Sequence, residues 1–93
     1  MIESPIEDWV CQKAEEAGWL VRKLKWVGRR SACDRFFAKD GRIVLIEFKR
    51  PKKEPSEVQL REIQRLKAAG VEAHVVDSPL AGLRVLGINY AIS

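Results

Sequence analysis

At 93 residues, 46% hydrophobic and 32% charged, the chain has the size and composition of one globular domain spanning residues 1–93. A fold of this size buries roughly 65% of its unfolded surface, enough to hold a core without staples, and no repeat or low-complexity tract points to an array or a disordered chain. Apolar runs stop at about five residues, which excludes the ~20-residue span of a transmembrane helix. Residues 1–8 are acidic and lack the basic and apolar regions of a signal peptide, so a cytoplasmic protein is expected. Cys11 and Cys33 have no metal-ligand spacing and no export signal beside them, and both are expected as free thiols. The net charge of +4 favours an anionic partner, and the basic residues fall in two groups: Arg22, Lys23, Lys25, Arg29, Arg30 and Arg35, then Lys49, Arg50, Lys52 and Lys53.

The first element is a helix. Ser4 with Glu7 makes a capping box, Pro5 suits the first helical position, and Ile6, Val10, Ala14 and Ala17 keep helical spacing up to Gly18. Residues 19–27 are rich in aromatic and branched side chains and predict a strand, with Leu20, Leu24 and Trp26 on one face and Val21, Lys23, Lys25 and Val27 on the other. A loop over residues 28–31 leads to a short strand over 33–38. Lys39-Asp40-Gly41 is a hairpin signal, because Asp-Gly tolerates the positive φ such a turn demands. The returning strand covers residues 42–49. After a proline-bounded loop, Ser56 caps a second helix whose stripe is Leu60, Ile63, Leu66 and Ala69, with Val58 near its start. Residues 71–77 predict a fourth strand, and Ser78-Pro79 starts a short helix containing Leu80, Leu83, Val85 and Leu86. Residues 87–93 predict an irregular or edge segment. Three strands in a meander, followed by a helical crossover, give a mixed sheet, with a right-handed crossover if the third and fourth strands run parallel.

The third strand ends Ile46-Glu47-Phe48-Lys49. Strand alternation sends Glu47 and Lys49 to one face and Phe48 to the other, and pairing across the Asp-Gly turn sets Asp34 near Glu47. Two adjacent carboxylates repel, and a divalent cation removes that penalty: Mg²⁺ is commonly held by one or two carboxylates with water and substrate phosphate completing its shell. Lys49 would orient the attacking water or neutralise charge growing on the phosphate. Asp, Glu and Lys at this spacing suit metal-assisted phosphodiester hydrolysis.

Three segments, Arg29-Arg30-Ser31-Ala32-Cys33-Asp34-Arg35, Ile46-Glu47-Phe48-Lys49-Arg50-Pro51 and Pro55-Ser56-Glu57-Val58-Gln59, together resemble the VRR-NUC (virus-type replication-repair nuclease) branch of the PD-(D/E)XK nuclease superfamily. The resemblance covers most of the chain, from the first helix to the strand end at Val75-Val76-Asp77-Ser78. It implies an α/β restriction-endonuclease-like core, a mixed sheet in the order α-β-β-β-α-β-α. It implies metal ligation by Asp34 and Glu47, with Phe48 and Glu7 in the same metal set, and assistance to the nucleophile by Lys49. Gln59 matches a family glutamine at the start of the following helix. Glu7 is the best match to a family glutamate in the first helix, and Glu3, about one helical turn earlier, is a second candidate. Lys23 takes the place of a basic residue often seen in the first strand. The family usually has proline before the aspartate. Cys33 stands there instead; proline ligates nothing, so the chemistry need not suffer, while a thiol adds a route to oxidation or soft-metal inhibition.

The activity implied is that of a Mg- or Mn-dependent endodeoxyribonuclease, in a bacterial or phage-encoded chain. Lys23, Arg29, Arg30, Arg35, Arg50, Lys52 and Lys53 are expected to grip the DNA backbone, which supplies affinity without base readout. No recognition helix or specificity domain is evident, so selection by DNA shape is expected, at junctions, flaps or branches. Small single-domain members of the family look like homodimeric enzymes cleaving four-way (Holliday) junctions, and by analogy a homodimer acting in DNA repair is expected. The rival reading is a non-catalytic nucleic-acid-binding or accessory module that retains the fold.

Each candidate also has an ordinary structural reading. Asp34 could pair with Arg35 or Arg42, and Glu47 with Lys49 could form an ion pair on an exposed sheet face. The capping box accounts for Glu7, and Gln59 could simply face solvent on its helix. His74 reads as a satisfied or surface histidine, and Trp9, Trp19 and Trp26 as core or interface aromatics.

Overall fold

The computed structural model describes residues 4–28 and 32–89, Ser4 through its backbone only. Glu3, Arg29, Arg30, the side-chain half of the Ser4 cap and residues 90–93 lie outside the described residues. The elements run α1 (Ser4–Glu16), β1 (Leu20–Lys23), β2 (Arg35–Lys39), β3 (Arg42–Phe48), α2 (Glu57–Ala68), β4 (Glu72–Val76) and α3 (Pro79–Leu86). This is the expected order. One four-stranded sheet has the order β1-β2-β3-β4, with antiparallel pairing through β3 and a parallel β3–β4 pair.

Local backbone chemistry sets the strand limits. Asp40 and Gly41 both have positive φ, 51° and 82°, as a two-residue hairpin turn with the twist of its strands requires, and Lys39 pairs with Arg42 across it. The second strand starts at Arg35 instead of Cys33, because Cys33 itself is left-handed at φ 76° and interrupts the extended chain. The first strand stops at Lys23, short of the expected Val27. Leu24 still donates its N–H to the Asp34 carbonyl at 2.9 Å, but Leu24 and Trp26 then fold inward against buried residues.

Register divides the core into two layers. Val21, Phe37 and Val44 lie across from one another on the face covered by α1 and α3, through Ile6, Val10, Ala14 and Leu86. Phe37 meets Trp19 edge-on at 6.5 Å and Phe48 at 6.4 Å, so one fully buried ring ties β2 to β3 and to the residue that precedes β1. Burying such a side chain is worth about 1.5–3 kcal/mol. Gly82 lets α3 approach α1: a Cβ there would fall 2.8 Å from Val10 Cγ2. The opposite face carries Phe36, Leu45 and Ala73, covered by α2 through Ile63 and Leu66. The stripe expected on α2 is only partly buried: Val58 and Leu60 are exposed and Glu62 is buried, because one helix alone lies on this face.

The topology gathers one set of chain ends. The C-terminal ends of β1, β3 and β4 and the start of β2 share one end of the sheet, opposite the Asp40-Gly41 turn. The loop after β3 delivers the N-terminus of α2 to the same end, and α1, which leads into β1, places its own N-terminus there.

Candidate active site

Glu47 lies in the body of β3, on the α2 face, and is buried. A buried carboxylate must be satisfied, and both of its oxygens are held. Oε1 accepts the main-chain N–H of Cys33 at 2.8 Å, and Oε2 accepts Gln59 Nε2 at 3.0 Å. Lys49 Nζ stands 3.5 Å from Oε2, and both side chains of this pair are largely shielded from solvent, so the exposed ion pair considered from sequence is not what forms. Phe48 points the other way into the core, as strand alternation demands, which leaves only its main-chain oxygen as a possible metal donor.

Asp34 precedes β2 by one residue, its N–H donating to the Ile46 carbonyl at 3.0 Å. Its Oδ1 is buried without a hydrogen-bond partner. Burial pushes the Asp34 carboxyl up to about 7, helped by the negative charges of Glu47 and Glu7 and opposed by the Phe48 and Asp34 N–H groups. Burial likewise raises Glu47, against the Cys33 N–H and the Lys49 charge. Neither arginine considered as a partner for Asp34 reaches it: Arg35 forms a salt bridge with Glu7 and Arg42 with Glu72.

Gln59 reaches Glu47 because the start of α2 fixes its amide. The Ser56 N–H donates to Gln59 Oε1 at 3.0 Å, and the Gln59 N–H donates to Ser56 Oγ at 3.2 Å, a reciprocal capping box. With Oε1 committed to an N–H, Nε2 must be the atom that faces Glu47. Sequence reasoning placed the cap at Ser56 but missed this reciprocity, for which Ser56-x-x-Gln59 was the available signal.

Glu7 is buried on α1 and turns Oε2 to Arg35 Nε. It adds negative potential at Asp34 and Glu47 while its nearest charge partner is an arginine. Arg35, expected at the DNA backbone, is engaged here, with a side chain 20% exposed. Lys23, Lys52 and Lys53 are exposed and Arg50 is half-buried. His74 sits 2.9 Å from Glu72, among strand residues away from the carboxylates. A cleft of about 550 Å³ lined by Trp19, Lys39 and Arg42 lies beside the Asp40-Gly41 turn, at the end of the sheet remote from Asp34 and Glu47. The Cys33 thiol is fully buried and pushed up to about 12, chiefly by burial, so the reactivity considered from sequence is suppressed at neutral pH.

These donors fit a hard divalent cation. Among the described residues no set of three or more His, Cys, Asp and Glu side chains is grouped to hold a metal alone. Two oxygen ligands are enough for Mg²⁺, which keeps several waters, and the orphaned Asp34 Oδ1 beside an anchored Glu47 supplies them.

The fold is that of the restriction-endonuclease-like class of nuclease domains. No family model matches the chain. The chain is 36% identical over 77 residues to the phage protein described as "Putative nuclease p44" of Acyrthosiphon pisum secondary endosymbiont phage 1, covering 82% of this chain and 83% of that one. A solved structure described as a VRR_NUC domain superposes with a TM-score of 0.85 at 29% identity, covering 97% of this chain and 99% of that one. The chain belongs to the VRR-NUC family, whose fold generally implies use of a divalent metal. No described helix is long and apolar enough to cross a membrane.

Proposed function

We propose that the protein is a Mg²⁺- or Mn²⁺-dependent endonuclease that hydrolyses DNA phosphodiester bonds, selects branched substrates such as four-way junctions, and works as a homodimer in the cytoplasm. The observation that carries the metal-dependent reading is the buried, unpartnered Asp34 Oδ1 facing the same end of the sheet as the doubly anchored Glu47. Asp34 and Glu47 would hold the cation, with the Phe48 carbonyl as a further donor. When bound, the cation supplies Lewis-acid polarisation of the phosphoryl group and a more acidic water. Lys49, held beside Glu47, positions the attacking water and offsets charge developing on the phosphate. Gln59 keeps Glu47 aimed, and Glu7 tunes the local potential while neutralising Arg35.

Lys23, Lys52, Lys53 and Arg50 would contact the DNA backbone around this end of the sheet, and Arg29 and Arg30, outside the described residues, are proposed to add to the same grip. Such contacts fix register without reading bases, which supports selection by shape. A symmetric dimer would present two sites to two strands. The test is incubation of purified protein with four-way junction, flap and linear duplex DNA in Mg²⁺, Mn²⁺ or EDTA. Cleavage of branched DNA only with metal is expected; no metal-dependent nicking on any substrate overturns the enzyme reading in favour of a binding module.

A further inference from the structure

The main-chain N–H and C=O of Cys33 and of Asp34 are all hydrogen-bonded. The Cys33 N–H donates to Glu47 Oε1 at 2.8 Å, and the Cys33 carbonyl accepts Trp26 Nε1 at 3.1 Å. Next along, the Asp34 N–H donates to the Ile46 carbonyl at 3.0 Å, and the Asp34 carbonyl accepts the Leu24 N–H at 2.9 Å. Cys33 itself holds φ 76°, a region that side-chain-bearing residues seldom adopt and that persists only where the surroundings enforce it. Its side chain is fully buried beside Ala32, Leu45 and Ile63. A proline at this position could supply neither the N–H nor the positive φ, since its ring fixes φ near −65°. Residue 33 therefore occupies a geometry closed to proline, one in which its N–H touches the buried carboxylate of Glu47.

We propose that residue 33 is a positioning residue acting through its main chain: its N–H, set by the left-handed backbone, aims Glu47 Oε1, and Trp26 secures the following peptide group through the Cys33 carbonyl, so that both sides of the residue are fixed. The proposal rests on the reading of Glu47 as a metal ligand. It explains why a tryptophan outside β1 turns inward with its indole N–H on a backbone oxygen: the bond fixes the carbonyl side of the residue whose N–H holds the carboxylate. Loss of a group that orients a metal's ligand typically weakens metal binding by about 10–100-fold. The thiol of Cys33 has no part in this; its role is to fill space.

Isothermal titration of the full chain with Mn²⁺, well below the melting temperature of each variant, tests the proposal with Cys33→Gly, Cys33→Pro, Trp26→Phe and Glu47→Gln. Cys33→Gly keeps the N–H and favours positive φ, so it should melt lower because of the void, yet bind Mn²⁺ about as well as the unaltered chain. Cys33→Pro should weaken binding by about 10–100-fold, and Trp26→Phe, which keeps an aromatic ring but loses the indole N–H, by about tenfold with the fold intact. Wild-type affinity in Trp26→Phe overturns the proposal, whether or not the proline variant folds. So does a loss in Cys33→Gly as large as in Trp26→Phe, which would place the effect in the side chain. Glu47→Gln is expected to lose binding. If it binds like the unaltered chain, the metal-site reading itself fails, a result distinguishable from wild-type affinity in Trp26→Phe alone.

Discussion

At the scale of single residues, Asp34 and Lys49 carry opposite expectations. Asp34 is pushed up from 3.8 to about 7, chiefly by burial, so the folded state binds its proton more tightly than the unfolded chain does. The stability this group contributes to the metal-free protein is fully present below 3.8 and is lost as pH rises through about 7. Asp34→Asn removes that loss: in EDTA above pH 7 the variant should melt higher than the unaltered chain, and Mg²⁺ should raise the melting temperature of the unaltered chain alone. Lys49→Ala should lower cleavage by about 10²–10⁴-fold while Mn²⁺ still binds, as calorimetry can show; near-normal turnover would remove Lys49 from the mechanism. Asp34, Glu47 and Lys49 were legible in the sequence because strand alternation and a hairpin turn are both local rules. The partner of Glu7 was not: Arg35 meets it across the fold, and neither residue carries a local sign of the other. The role of Cys33 was hidden for another reason, since it lies in the peptide group and not in the side chain.

At the scale of elements, α2 joins stability to the site. Ser56→Ala should destabilise the protein by about 1 kcal/mol through loss of the cap hydroxyl, measured by urea unfolding. Gln59→Glu separates the two roles, because Glu also completes a capping box but presents a carboxylate where Glu47 needs a donor. Its melting temperature in EDTA should fall, because a second carboxylate then faces the buried Glu47 and Oε2 loses its donor, and Mn²⁺ should recover part of that loss; a melting temperature and Mn²⁺ affinity both unchanged would confine Gln59 to the cap. Between α1 and α3, Gly82→Ala should cost about 1–3 kcal/mol, because the added methyl meets Val10 in a packed interior. The start of α2 was legible from Ser56, whereas its buried face was not. Leu60 keeps helical spacing with the buried Ile63 and half-buried Leu66 yet stays exposed, since how much of a helix is covered depends on which neighbours the topology supplies.

At the scale of the whole molecule, element order was legible from turn residues and periodicity. The division into two cores was not, because it depends on register across four strands. The proposed DNA contacts give a collective expectation: affinity should fall linearly on a log-log plot against salt, and Lys52→Ala with Lys53→Ala should reduce the slope by up to about two. A slope unchanged by the double substitution would place these lysines away from the phosphates.

The hairpin of β2 and β3 carries both proposed carboxylate ligands, closed by a turn of two residues. Assembly of the site is thus a local event in the order of folding, available before the crossover through α2 brings Gln59 to Glu47. Hairpins form in about 1–10 μs, far ahead of most long-range docking, so during refolding the two acids face each other while the Gln59 anchor is still missing. Mn²⁺ present from the first instant should therefore speed refolding as well as stabilise the product, and stopped-flow tryptophan fluorescence with and without the ion would register the difference. An effect on the unfolding rate alone would instead place capture of the ion after the rate-limiting step.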